Sequence, residues 1–167
     1  MRMIDVGAKP RTERVAVARG FVSMAPSTLR ILRAGHAEKG DVVAAARLAG
    51  IMAAKRTPDI IPLCHPVALS GTEVEVVARK RGVQVTATVR TVDRTGVEME
   101  ALAAVAAACL TIYDMLKRYQ RAMRVEVLEL IEKSGGRSGH WVRGRDSAPQ
   151  KAQGAGTRAR SSRRRGG

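Results

Sequence analysis

The sequence predicts an α+β domain in which a mainly antiparallel sheet carries helices on one face. Three observations lead to this fold class. Apolar and polar residues alternate in four segments, which is typical of half-buried strands. Two long apolar segments lack that alternation and indicate helices. The segments follow one another as strand, helices, hairpin, helix and strand, which is an order that favours an α+β fold.

The N-terminal part of the chain is predicted to form a strand and then a short helix. Alternation over Thr12 to Met24 predicts the strand, because it places apolar side chains on one face. Ser27 can serve as the N-cap of a helix that ends at Gly35. A loop over residues 36–40 follows.

The next segment is predicted to contain a buried helix and a rigid loop. Asp41 is a suitable N-cap for a helix from Val42 to Ala54, whose apolar residues are too dense for a surface helix. The segment from Pro58 to Pro66 holds three prolines, which argue against regular structure there. Leu63, Cys64 and His65 are therefore expected in a loop that is fixed at both sides, as suits a binding site.

The second half of the chain predicts a hairpin, a long helix and a last strand. Residues 68–78 and 83–92 alternate and are joined by the short turn 79–82, which contains a glycine near its end. The Ala-rich segment from Val97 to about Met123 predicts the longest helix. Alternation over residues 125–131 predicts the final strand.

The positive charge of the chain is unevenly placed. The net charge is +15, and residues 134–167 contribute +8 of it through nine Lys and Arg residues against one acid. This segment is rich in Gly, Ser, Arg and Ala, so it cannot bury enough apolar surface to offset its conformational entropy. We therefore predict a folded domain at residues 1–139 and a disordered basic tail at 140–167. The tail would bind nucleic acid only non-specifically.

Composition also bears on the class of protein. Aromatic residues make up 2% of the chain, so the body lacks the stacking platforms that nucleic-acid-binding domains use. A nucleic-acid-binding protein and a structural scaffold remain as alternatives, and both predict no turnover. The start of the chain lacks the apolar run of a signal peptide, and Cys64 and Cys109 show no CxxC spacing. A cytoplasmic location without a membrane span is expected.

The long helix carries a candidate pair of catalytic groups. Asp114 and Lys117 lie at positions i and i+3, so their side chains share one face. A surface ion pair is the simplest interpretation of this spacing. The neighbouring residues are largely apolar, however, which favours a partly buried pair with shifted pKa values.

Three other features could bind or transfer protons and anions. His65 is as well explained by a structural role as by acid–base chemistry or hydrogen bonding to a ligand, and a metal site with Cys64 is disfavoured because adjacent residues rarely both bind a metal. Lys39 precedes a helix N-terminus, where anions are attracted, although a solvated loop lysine is the simpler interpretation. The glycine-rich loop 134–139 either folds over phosphates or links to the tail.

Several long motifs match one protein family in order and in wording. They are Ile4-Asp5-Val6-Gly7-Ala8-Lys9, Lys39-Gly40-Asp41-Val42, Ala46-Arg47-Leu48-Ala49-Gly50-Ile51, Ala53-Ala54-Lys55-Arg56-Thr57, Ile61-Pro62-Leu63-Cys64-His65-Pro66, Thr95-Gly96-Val97-Glu98-Met99-Glu100-Ala101-Leu102, Leu110-Thr111-Ile112-Tyr113-Asp114-Met115 and Glu132-Lys133-Ser134-Gly135-Gly136-Arg137-Ser138-Gly139. Over about residues 3–139 the chain resembles the cyclic pyranopterin monophosphate synthase family of molybdenum cofactor biosynthesis.

The resemblance implies a fold, an assembly and a reaction. The fold would be ferredoxin-like, and the subunits would form a homohexamer made of three dimers with active sites between subunits. The substrate would be 3′,8-cyclo-7,8-dihydroguanosine 5′-triphosphate, a small nucleotide-derived molecule. The lyase reaction would rebuild its ring system into a cyclic pyranopterin monophosphate and release pyrophosphate, without a redox cofactor.

The resemblance also implies which residues form the site. Asp114 matches the catalytic aspartate, and Lys117 and Lys39 match the essential lysines. The predicted substrate-binding residues are Leu63, Cys64, His65, Glu98, Met99, Glu100 and Arg14. One departure is Arg137, which stands where the family commonly has lysine, so the charge is kept and the geometry is not. We expect Lys39, Lys117, Arg14 and Arg137 to converge on the triphosphate.

Overall fold

The computed structural model describes residues 1–144, which contain five strands and four helices. The strands are β1 (Thr12–Ser23), β2 (Leu69–Arg79), β3 (Gly82–Asp93), β4 (Arg124–Ser134) and β5 (Trp141–Val142). The helices are α1 (Pro26–Ala34), α2 (Val42–Lys55), α3 (Thr57–Ile60) and α4 (Glu98–Leu116). The strands form one antiparallel sheet in the order β2-β3-β1-β4-β5. This arrangement confirms the predicted α+β, ferredoxin-like fold.

The core lies between the sheet and the two longest helices. Strand β1 is central, and its side chains Ala16, Ala18 and Val22 are fully buried. Helix α4 packs against β1 and β3, while α2 packs against α4 and β2. Small side chains fill this core because aromatic residues are scarce, and they allow the helices to approach the sheet closely.

Gly20 of β1 lies directly beneath α4. A Cβ atom at this position would lie 2.5 Å from Cγ1 of Val105 and 2.9 Å from Sγ of Cys109. Both neighbours are fully buried, so they cannot move aside without disturbing the core. The absence of a side chain at Gly20 therefore sets the distance between α4 and the sheet.

The close approach at Gly20 gives a prediction for stability. Gly20→Ala should destabilise the domain by about 1–3 kcal/mol, the usual cost of overpacking a core. Gly71→Ala is the control, because Gly71 also lies in a strand but its nearest neighbour to an added Cβ is Arg90 Cδ at 3.9 Å. Denaturant unfolding of the two variants measures the difference. Equal stability of both variants would contradict the proposed contact.

Helix α2 buries one stripe of small residues against α4. Ala46, Gly50 and Ala54 are buried, and a Cβ on Gly50 would lie 3.0 Å from the carbonyl oxygen of Ala104. Leu48 and Met52 of the same helix are 60% and 44% exposed. The prediction that α2 is buried was therefore wrong for the face that carries Leu48 and Met52, because a high density of apolar residues does not show which side of a helix has a partner.

Two prolines start helices where other boundaries were predicted. Helix α1 begins at Pro26, and its N-cap residue Ala25 makes no side-chain cap, so Ser27 is not the cap. Pro58 lies in the first turn of α3, although three prolines were expected to exclude regular structure there. The physical reason is the same in both places. The N–H groups of the first turn of a helix have no partner within the helix, so proline, which lacks an N–H group, is tolerated there. Gly35 and Asp41 cap α1 and α2 as predicted.

Helix α4 ends at Leu116, earlier than the predicted end near Met123. The N–H group of Tyr119 bonds to the carbonyl oxygen of Leu116, which tightens the chain into a turn. The side chain of Gln120 then accepts hydrogen bonds from the N–H of Ala25 (2.8 Å) and from the hydroxyl of Thr28 (3.0 Å). These contacts with α1 compete with continued helix.

By length and composition alone, α4 could cross a membrane, since its mean hydropathy is 1.6. Its place in the fold accounts for that composition. Ala101, Ala104, Val105, Ala108 and Ile112 are fully buried in the core that α4 forms with its neighbours. Such residues are typical of the central helix of a folded domain.

The sheet continues past residue 139, where the predicted domain ends. Trp141 and Val142 form β5 and pair with Lys133 and Glu132 of β4. The N–H group of Arg143 bonds to the carbonyl oxygen of Ile131 at 2.9 Å. These backbone bonds add a short edge strand that the polar composition of the segment had concealed. The rest of the predicted tail, 145–167, lies outside the described residues.

Candidate active site

The three predicted catalytic residues lie together at the C-terminal end of α4. The ammonium group of Lys117 lies 2.7 Å from Oδ1 of Asp114, across one turn of the helix. The ammonium group of Lys39 lies 2.6 Å from Oδ2 of the same carboxylate. Lys39 comes from the loop between α1 and α2 and is 75 residues away in sequence. The fold thus gives one carboxylate two lysine partners.

The two lysines keep Asp114 ionised. Hydrogen bonds from Lys117 and then from Lys39 lower the pKa of Asp114 to about 2. The hydrogen bond that Lys117 donates to Asp114 raises the pKa of Lys117 in return. Both side chains of this helix pair are about half exposed. The expected shifts of both pKa values are present. The expected partial burial was wrong for the single chain, because the apolar neighbours on α4 face the core while Asp114 and Lys117 face solvent.

The charge states limit the chemistry of this cluster. At neutral pH Asp114 is a carboxylate and Lys117 an ammonium ion, so Asp114 has no proton to donate. Lys117 can donate a proton or stabilise negative charge that develops on a substrate. An open pocket of about 570 Å³ adjoins the cluster, which is a volume typical of small-molecule sites. Its walls include Glu38, Lys39, Asp114, Lys117, Arg118, Tyr119 and Arg121.

A second cluster surrounds the N-terminal end of α4. The carboxyl group of Glu100 is 2% exposed and lies 3.4 Å from Sγ of Cys64. Among the residues that the structure describes, no hydrogen-bond partner lies within reach of its other oxygen, Oε2. Burial raises the pKa of Glu100, and burial with the nearby Glu100 charge raises the pKa of Cys64 to about 11. Cys64 is thus a thiol at neutral pH rather than a nucleophilic thiolate.

The predicted substrate-binding loop lies beside Glu100. Leu63 is 50% exposed, His65 is half-buried, and Met99 on the first turn of α4 is 37% exposed. Exposed apolar side chains next to a buried carboxyl group give this end of α4 an open surface on which a flat ring could pack. The loop begins with a turn in which the N–H group of Cys64 bonds to the carbonyl oxygen of Ile61 at 3.0 Å, and its rigidity stays a prediction.

A basic pocket of about 520 Å³ lies near the same end of α4. Its walls include Lys9, Arg14, Arg94, Glu98, Lys133 and Arg137. The guanidinium group of Arg14 donates to the carbonyl oxygens of Asp93 at 2.9 Å and Arg94 at 3.2 Å. Five cationic side chains against one acid make this pocket suitable for phosphate groups.

The glycine-rich loop after β4 forms part of this basic pocket. Gly135 and Gly136 have φ values of +94° and +71°, which favour glycine. A Cβ on Gly136 would collide with the guanidinium group of Arg14. The loop therefore folds back against Arg14, and of the two interpretations left open, a linker and a phosphate-binding loop, its position supports the second.

One protomer does not bring all the predicted site residues together. Arg14 and Arg137 lie in the basic pocket, whereas Lys39 and Lys117 lie at the other end of α4. Their convergence on the triphosphate stays a prediction for a site shared between chains, since the two pairs lie apart within one chain. The reason is the length of the helix, because the 14 residues from Glu100 to Asp114 span roughly 21 Å at 1.5 Å per residue.

Some pocket residues were missed by sequence reasoning. Lys133 lies 3.2 Å from Glu98 and donates a hydrogen bond to Ser138 at 2.6 Å. It belongs to a motif quoted for the resemblance. Tyr119 lines the larger pocket and is one of few aromatic residues in the chain. Across residues 1–144, no three His, Cys, Asp or Glu side chains are placed to hold a metal ion together.

Comparison with known proteins identifies a family. The family model described as the MoaC family matches residues 3–136. The cyclic pyranopterin monophosphate synthase of Thermomicrobium roseum is 58% identical over 149 residues, which cover 88% of this chain and 90% of that protein. Proteins of the same name from a Roseiflexus species and a Methylobacterium species are 61% and 57% identical over 145 and 142 residues. Each alignment covers 84% of this chain and 90% or 89% of the relative.

The matched region contains both ends of α4, the Lys39 loop and the loop around Cys64. Identity above one half over nearly the full length of the relatives leaves no doubt about common descent and fold. This chain belongs to the MoaC family.

Proposed function

We propose that the chain is a lyase that converts 3′,8-cyclo-7,8-dihydroguanosine 5′-triphosphate into cyclic pyranopterin monophosphate and releases pyrophosphate. The product is the one named in its curated relatives. The observation that carries the proposal is the cluster of Lys39, Asp114 and Lys117. Two distant segments place two ammonium groups on one carboxylate at the edge of a pocket large enough for a nucleotide.

The two ends of α4 suit different parts of this substrate. The basic pocket around Arg14 and Lys133 would bind the triphosphate, whose charge near −4 needs several cations. The surface around Met99 and the buried Glu100 would receive the ring system. The cluster at Asp114 would supply the proton transfers and stabilise negative charge, with Lys117 as the group that donates. The rearrangement needs no redox cofactor from the protein.

The distance between the ends of α4 supports an assembly with shared sites. One nucleotide is too short to contact Glu100 and Asp114 of the same helix. A second chain related by a two-fold axis would bring its Asp114 to the Glu100 of the first, in an isologous arrangement. We infer that such dimers assemble further into a homohexamer, as the resemblance implies. The exposed apolar residues of α2 and α4 support this, and they include Leu48, Met52, Met99 and Leu110.

The compartment follows from the proposed pathway and the cysteines. Cys64 and Cys109 are free thiols in the described part of the chain. We propose a cytoplasmic location, where thiols stay reduced. Binding of nucleic acid through the arginine-rich C-terminal segment would be secondary and sensitive to salt.

Pyrophosphate release tests the proposed function directly. The purified full chain should release one pyrophosphate per molecule of the cyclised triphosphate, because closing the cyclic phosphate expels the two outer phosphates. Uncyclised guanosine triphosphate is the matched control and should give no release above background. Equal release from both compounds, or none from either, would contradict the proposal and favour the binding or scaffold alternatives.

A further inference from the structure

The loop that carries Lys39 has little support of its own. It runs from Gly35 to Gly40, and both end residues have positive φ values of +68° and +99°. Ala37 is buried, and the N–H group of Gly40 bonds to its carbonyl oxygen at 2.9 Å. Lys39 itself is half exposed. Something outside the loop must therefore hold Lys39 in place against Asp114.

The turn that follows α4 supplies two contacts to this loop. The hydroxyl group of Tyr119 accepts a hydrogen bond from the N–H of Glu38 at 2.9 Å, one residue before Lys39. The guanidinium group of Arg118 pairs with the carboxylate of Glu38. The ion pair is largely exposed and contributes little. The bond from Tyr119 acts on the backbone next to Lys39, whereas the ion pair acts on a side chain.

The turn that carries Tyr119 is itself firmly held. The N–H groups of Tyr119 and Gln120 both bond to the carbonyl oxygen of Leu116. The side chain of Gln120 is bonded to Ala25 and Thr28 at the start of α1. Helix α1 is thus tied at its beginning by Gln120, and the loop after its end is tied by Tyr119. Two neighbouring residues of one turn fix the element that leads to Lys39.

We propose that Tyr119 is a positioning residue that holds the Lys39 loop so that the ammonium group of Lys39 stays on the carboxylate of Asp114. The expected effect of Tyr119 on turnover rests on the proposed function. Its expected effect on the position of Lys39 does not. The hydroxyl group of Tyr119 contacts the backbone of Glu38 and acts on the reaction by holding Lys39.

The variant Tyr119→Phe tests this role, because it removes the hydroxyl group and keeps the ring. Ser23→Ala is the control, since it also removes a hydroxyl bonded to the main chain, here to the carbonyl oxygen of Arg124 at 3.4 Å, and Ser23 does not line the pocket beside Lys39 and Asp114. The first readout is the titration of Asp114 by NMR in the full chain. Lys39 is one of the two groups that lower the pKa of Asp114 to about 2. A displaced Lys39 should let this pKa rise toward the ordinary value.

The expected result is a raised pKa of Asp114 in Tyr119→Phe and an unchanged one in Ser23→Ala. The kcat for pyrophosphate release should fall about fivefold to tenfold in Tyr119→Phe, the scale of one lost hydrogen bond, while KM changes less. Arg118→Ala should have a smaller effect on both readouts.

Two outcomes would overturn the inference. The first is a titration of Asp114 that is the same in Tyr119→Phe as in the wild type. The second is a shifted titration with an unchanged kcat, which would show that the position of Lys39 does not matter to the reaction. A wild-type chain without turnover would instead contradict the proposed function, and the titration alone would then decide whether Tyr119 holds Lys39.

Discussion

Lys117→Ala and Asp114→Ala should each lower turnover by at least ~10²-fold, the scale of lost acid–base or electrostatic catalysis. The Lys117→Ala variant lacks the proposed proton donor, and the Asp114→Ala variant lacks the carboxylate that binds both lysines. Both side chains are about half exposed, so their removal leaves no buried charge without a partner. The variants should therefore fold and assemble as the wild type does. Steady-state pyrophosphate release and a melting curve measure the two effects separately.

Arg81→Ala is a suitable control for these variants. Arg81 also belongs to an exposed ion pair, with Glu126 at 4.0 Å, but it lies in the turn between β2 and β3. Its loss removes the same charge as the loss of Lys117 without touching α4. Turnover near the wild-type level in Lys117→Ala or Asp114→Ala would show that the C-terminal end of α4 takes no part in the reaction.

Mixing two inactive variants should restore activity if each site is shared between chains. Glu100→Ala and Asp114→Ala should each be inactive alone. When they are unfolded together and reassembled, a mixed dimer has one site with both substitutions and one site with neither. Random pairing makes half of the dimers mixed, and half of their sites are intact, so about a quarter of wild-type activity should return under two-fold symmetry. Activity assays after reassembly, with mixed dimers confirmed by mass, measure this fraction.

The burial of Glu100 calls for a second variant in the mixing experiment. Glu100→Gln keeps the shape of the side chain and serves where Glu100→Ala does not refold. The control is reassembly of each variant alone, which should stay at background. Background activity in confirmed mixed dimers would show that Glu100 and Asp114 act within one chain or that one of them is not needed.

The fold could be predicted from the sequence wherever a single local pattern of residues decided the secondary structure. Alternation predicted four of the five strands, and Asp41 and Gly35 marked helix ends because their side chains or φ values suit only those positions. The errors in the predicted helix and strand boundaries arose where contacts between residues distant in sequence determine the boundary. The bond between Gln120 and Ala25 ends α4 early, and the pairing of Trp141 with β4 adds a strand that its polar neighbours hide.

The candidate site was predictable as a set of residues and not as an arrangement. Chemical type and the resemblance selected Lys39, Asp114 and Lys117, and the structure places them within hydrogen-bond distance. The exposure of the Asp114 side chain could not be predicted. Its sequence neighbours on α4 are apolar and face the core, whereas Asp114 lies on the side of the helix that faces solvent. Tyr119 could not be found either, since its contact with Glu38 links residues 81 positions apart. The catalytic and binding roles of these residues stay predictions until the variants are measured.

The number of residues in helix α4 sets the angle between Glu100 and Asp114 around the helix axis as well as the distance between them along it. Each residue of an α-helix rotates the chain by about 100° around the axis and advances it by about 1.5 Å. One residue inserted between Glu100 and Asp114 would hardly change the distance between the two ends, yet it would turn Asp114 a quarter of a circle away from Lys39. The same insertion would rotate the buried alanines out of the core. A change in the number of residues of this helix should therefore disturb the site and the core together, whereas a substitution on its exposed face alters one side chain only.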